Sequence, residues 1–131
     1  MEEKLKRAVS NAANYAEKAL NALSQGGLEE LRMLVWRLAA ELEYALFLLS
    51  LKRSELLESP PLKPHRSGGN VEISPVLAVV RERVEEACRA LRRGDYHGAY
   101  VKVREARLNL LSVQKLLEGA PRGGRRPTSS P

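Results

Sequence analysis

Cys88 is the single thiol of this 131-residue chain, His65 and His97 its two imidazoles, and Asp95 its single aspartate. Acid–base, nucleophilic and metal chemistry all draw on these residue types, so the sequence holds little material for any of them. A carboxylate-bridged metal pair in a helical bundle needs Glu-x-x-His pairs facing inward. Leu62 stands three before His65 and Gly94 three before His97, so neither histidine belongs to such a pair. Cys88 falls between Ala87 and Leu91 on an apolar helical stripe with no base beside it, and a cysteine in that setting behaves as a small apolar residue. One cysteine also excludes an internal disulfide. Gly68-Gly69 has none of the surrounding pattern of a phosphate-cradling loop. No metal and no cofactor are expected.

One arrangement points to phosphate chemistry. In Arg92-Arg93-Gly94-Asp95-Tyr96-His97-Gly98-Ala99-Tyr100, four residues separate Arg92 from His97. The segment resembles the HEPN superfamily of small helical domains, some of which are dimeric RNases with an Arg-x(4–6)-His motif. The resemblance covers the last two helices. It implies that Arg92 would stabilise phosphate charge and that His97 would act as acid or base. Without it, Asp95 reads as a helix cap, Tyr96 as core and His97 as an exposed first-turn residue.

Net charge is +6, and half of it lies in the tail, where Arg122, Arg125 and Arg126 stand among Gly, Pro and Ser with no acid. An acid-free Arg-Gly-Gly segment can hold RNA or DNA phosphates through charge and stacking. Elsewhere bases and acids are interleaved. Arg81, Arg89, Arg92 and Arg93 alternate with Glu82, Glu85 and Glu86, a pattern typical of a solvated helix face. A structured polyanion site would draw on Arg89, Arg92, Arg93, Lys102 and Arg107. Arg outnumbers Lys 15 to 7, which suits a thermophilic source or a GC-rich genome. The amino-terminal segment is charged, and the most apolar run, Ala45 to Leu51, falls far short of the roughly 20 residues a bilayer requires. A cytoplasmic protein is expected.

Four segments must position these residues, and each carries helical periodicity. They are expected at about 2–24, 28–58, 75–93 and 95–118. Leu5, Val9, Ala12, Ala16, Ala19 and Leu23 step by four and three along the first; Leu31, Val35, Leu38, Leu42, Ala45 and Leu49 do so along the second. The third is striped by Leu77, Val80, Val84, Ala87 and Leu91. Tyr96, Ala99, Val103, Ala106, Leu110, Val113 and Leu117 stripe the fourth. Gly26-Gly27 and Gly94 suit helix ends, Ser74 and Asp95 suit N-caps, and Pro75 suits a first helical position. A loop at about 59–74 separates two hairpins. The expected fold is all-α: a four-helix up-and-down bundle or two packed antiparallel hairpins over 1–118, followed by a flexible basic tail over 119–131.

The second helix carries something the others lack. With Leu42 at the centre of its core stripe and 100° per residue, Met33, Trp36, Ala40, Tyr44, Phe47 and Leu51 fall at about 120–200°, on the opposite side. That side holds the only Trp and the only Phe. A helix placed centrally, with neighbours on both sides, would cover it. Alternatively it is an interface, since large aromatics and Met are enriched where proteins meet. The sequence therefore predicts a non-catalytic interaction module that self-associates through the second helix as a homodimer or binds a helical protein, with RNA or DNA contacted by the tail. A HEPN-like RNase or its inactive relative is the alternative.

Overall fold

The computed structural model describes residues 2–52 and 72–119. Within them the chain forms α1 (Glu2–Ser24), α2 (Leu28–Lys52), α3 (Ile73–Arg92) and α4 (Tyr96–Gly119), with no strand. The segments 53–71 and 120–131, which hold His65, Gly68-Gly69, the expected end of the second helix and the three tail arginines, lie outside the described residues.

Local chemistry explains the helix ends. Gly26 and Gly94 both have positive φ, 78° and 76°, a region that residues with a Cβ enter at a cost. Each sits just past a helix whose last carbonyls it helps satisfy. After α1 the Gly27 N–H donates to Ala22 O and the Gly26 N–H to Leu23 O. After α3 the Asp95 N–H donates to Ala90 O and the Gly94 N–H to Leu91 O. This paired bonding closes both helices in a Schellman motif. Asp95 then caps α4, its Oδ1 accepting the Gly98 N–H at 2.8 Å. Asp95→Ala should leave that N–H unpaired and lower stability by about 1 kcal/mol, read from urea unfolding. An unchanged midpoint would mean that water replaces the cap without loss.

The start of α3 departs from expectation. The helix begins at Ile73, and Glu72 occupies the cap position without a side-chain hydrogen bond. Ser74 is therefore inside the first turn rather than capping it, and Pro75 is third rather than first. The first four N–H groups of a helix have no internal partner, so a proline anywhere in that turn removes no bond, and the helix extends back past it.

The expected core stripes are buried, apart from Leu23 and Tyr96 near the bundle ends, which are half-buried against the core. Ala8, Ala12, Ala16, Ala19 and Ala22 give α1 a buried face of small residues. No charged or polar residue is buried among those described.

α1 packs on α2 and α3, and α4 packs on the same two; α1 and α4 lie diagonally across the bundle, as do α2 and α3. Cross-helix contacts set the directions. Glu2, Lys52 and Tyr96 meet at one end: the Tyr96 hydroxyl donates to Glu2, and Lys52 Nζ lies 4.8 Å from the Tyr96 ring centre. Farther along, Glu17 pairs with Arg81, Glu43 with Arg107, and Arg32 reaches Leu117 O. Every adjacent pair is thus antiparallel, and the diagonal pairs run parallel. Of the two expected arrangements, two packed hairpins is the one adopted. α2 ends at the Glu2 end of the bundle, whereas α3 starts at the Ser24 end.

Candidate functional site

α2 meets α1 and α4 on two flanks of its inner side, and Leu31, Val35, Leu38, Leu42, Ala45 and Leu49 are all buried there. The square arrangement gives α2 no third neighbour, so the central placement that would have covered its second stripe does not occur. Met33, Trp36, Ala40, Tyr44, Phe47 and Leu51 are all exposed, Trp36 to 63% and Phe47 to 57% of their surface. From Met33 to Leu51 the stripe runs about 27 Å along the helix. Apolar side chains on that scale facing water mark an interaction surface more often than a solvated one.

The neighbouring helices extend the face. Tyr44 leans towards α1 and lines a shallow groove with Lys4, Arg7, Ala8 and Asn11. Trp36 leans the other way, over a groove formed with Arg32, Val35, Gln114, Leu117 and Glu118. Leu111 of α4 is also exposed. A step of 100° per residue puts it on the flank of α4 that carries Arg107 and Gln114. The Glu43–Arg107 and Arg32–Leu117 contacts set the register, which brings Leu111 level with Leu38 and Ala39. Its sequence neighbourhood, Leu108 to Leu111, gave no hint, because the side of α4 that adjoins α2 depends on helix arrangement.

The other sequence-derived candidates are scattered. Arg92 is the last residue of α3 and is exposed; it lines a groove between α1 and α3 with Lys6, Ser10, Cys88 and Leu91. His97 is exposed in the first turn of α4, and no hydrogen bond joins it to Arg92 among the described residues. Burial pushes the Cys88 thiol above its ordinary pKa, against the pull of Arg92 and Arg89. A thiol held protonated is a poor nucleophile. Among the described residues no group of three or more His, Cys, Asp or Glu side chains could hold a metal ion.

The basic residues divide in the same way. Lys102 pairs with Glu86 and Glu105, Arg83 bridges the same two acids, Arg93 pairs with Asp95, and Arg107 with Glu43. These contacts neutralise much of the cationic set that a structured polyanion site on α3 and α4 would need, leaving Arg89 and Arg92 without an acidic partner among the described residues. The hydrogen bond between Tyr96 and Glu2 raises the tyrosine pKa and lowers that of the carboxyl, which Lys52 and Lys6 lower further. This cluster ties three chain segments together at one bundle end. No sequence signal marked it, since Glu2 and Tyr96 are 94 residues apart.

No helix among the described residues is long and apolar enough to cross a membrane. Comparison with protein-family models, curated proteins and solved structures yields no match.

Proposed function

We propose that this chain is a non-catalytic helical interaction module that self-associates through the outer face of α2. The observation that carries the reading is the exposure of the whole stripe Met33–Trp36–Ala40–Tyr44–Phe47–Leu51 on a helix whose opposite side already fills the core. Large aromatic side chains each bring 150–250 Å² to a contact, so five large residues near half exposure offer on the order of 500 Å² per copy. Two copies together offer on the order of 1,000 Å², the lower bound of a specific interface. Leu111 and the groove walls on α1 and α4 enlarge it. Sedimentation or light scattering of the purified protein, with and without nuclease treatment, tests the reading. A mass twice that of the chain, unchanged by nuclease, is expected. A monomer at high micromolar concentration would overturn it.

Contact with nucleic acid is assigned to the tail rather than to the bundle. The support is the ion pairing of Arg83, Lys102 and Arg107 with Glu86, Glu105 and Glu43, against the acid-free run holding Arg122, Arg125 and Arg126. Truncation after Gly119 should abolish binding of single-stranded RNA. Before truncation, affinity should fall with salt at a log–log slope of roughly −2, from about −0.7 per phosphate contact. Equal affinity for both proteins would remove the tail from the reading.

A further inference from the structure

The exposed stripe of α2 has the same spacing in both directions from its middle. Trp36 and Tyr44 stand four residues either side of Ala40, and Met33 and Phe47 stand seven either side. Ala40 is the one small residue among them and is itself exposed. A small residue flanked by large ones is what lets two helices cross closely while their larger side chains interdigitate on either side.

We infer that two copies of this chain pair through α2 in antiparallel, with Ala40 on the two-fold axis. The inference rests on the self-association reading and adds its geometry. About that axis Trp36 lies level with Tyr44 of the second copy, and Met33 with Phe47 of the second copy, so each half of the stripe packs against the other half. Leu111, level with Leu38 and Ala39, lies between the Trp36 and Ala40 levels and extends the apolar area beside the axis.

Charge decides between antiparallel and parallel pairing. Arg37 and Glu41 occupy the α1 flank of the face, and neither makes an ion pair within the described residues. An antiparallel two-fold brings like flanks together. It sets each Arg37 about 3 Å along the axis from Glu41 of the second copy, and the two Glu41 about the same distance from each other, so each carboxylate has one guanidinium of the other copy within reach and that pair occurs twice. Parallel pairing sets the α1 flank against the α4 flank. There Arg32 already donates to Leu117 O and Glu43 already pairs with Arg107, so Arg37 and Glu41 gain no free partner. Antiparallel helices also oppose their dipoles favourably.

Cysteine cross-linking tests this in a Cys88→Ala background, which removes the lone native thiol. Helix axes about 8–10 Å apart, each with Cα atoms at a radius near 2.3 Å, put the two Ala40 Cα atoms about 3.5–5.5 Å apart, which overlaps the range a disulfide spans. Ala40→Cys should therefore link to itself on mild oxidation, while Glu82→Cys, exposed on the diagonal helix α3, should not. With a short bismaleimide, Met33→Cys mixed with Phe47→Cys should give a linked dimer. Met33→Cys alone should not, because its two copies stand about 21 Å apart along the axis. Self-linking of Met33→Cys and of Phe47→Cys, without linking of the mixture, would mean a parallel pair. That would overturn the inference and leave self-association standing. A dimeric mass with no link at position 40 would overturn it too, by placing the contact elsewhere. A monomeric mass for the unmodified protein would remove both readings together.

Discussion

Phe47→Glu is expected to convert the proposed dimer to a folded monomer. Phe47 is 57% exposed in the isolated bundle, so the fold does not depend on it, and the substitution should move the unfolding free energy by no more than about 0.5 kcal/mol. In the proposed dimer the same position would be covered, and a carboxylate there would be stripped of water with no cation assigned to it. An interface residue of this size typically contributes about 2 kcal/mol. A two-fold contact contains the residue twice, so the loss approaches 4 kcal/mol, about a thousandfold in dissociation constant. Trp36→Glu should behave alike. The measurement is sedimentation velocity over a concentration series beside far-ultraviolet circular dichroism. Dimer retained in both variants would show that the stripe is not the contact. Loss of helicity would show instead that the face supports the fold.

Ala16→Leu should have the opposite profile, with the fold weakened and the interface untouched. Ala16 is fully buried on the small-residue face of α1, between Ala12 and Ala19, which are also fully buried. α1 packs there against α2 and α3. A leucine has to be accommodated by forcing the helices apart, at a cost of about 1–3 kcal/mol. For a domain of this size that corresponds to a fall in Tm of roughly 5–15 °C. The variant should still dimerise at temperatures where it is folded. An unchanged Tm would mean that the face tolerates three added carbons and is loosely packed. The two variants together separate the two sides of the bundle: small residues set the distance between helices within one copy, and large residues line the contact proposed between copies.

The six-residue run of alanines and aliphatics on α1, the glycines at 26 and 94 and the Asp95 cap were legible because each acts within one or two turns of chain. Apolar spacing of three and four specifies a helical stripe whatever the helix later packs against. A glycine at a left-handed position, or a carboxylate facing a free N–H, is likewise local chemistry. Pro75 shows the limit of such reading even at short range. It suits the first helical position, yet the first turn accepts it anywhere, so the helix runs back to Ile73.

The stripe on α2 was equally visible as a pattern. The residues Met33, Trp36, Ala40, Tyr44, Phe47 and Leu51 share one side of the helix by periodicity alone. Their meaning was not visible, because an apolar side is equally compatible with core and with surface. That turned on which helices stand beside α2, and no rule of local spacing specifies neighbours. The diagonal placement of α3 leaves the stripe uncovered, and the register of α4 brings Leu111 beside it. Sequence determined the four helices, the glycine-closed ends of α1 and α3 with the Asp95 cap of α4, and the two-sided character of α2. Tertiary structure decided that no helix of the described bundle covers the second side of α2, because burial is a property of the arrangement of all four helices and not of any one of them.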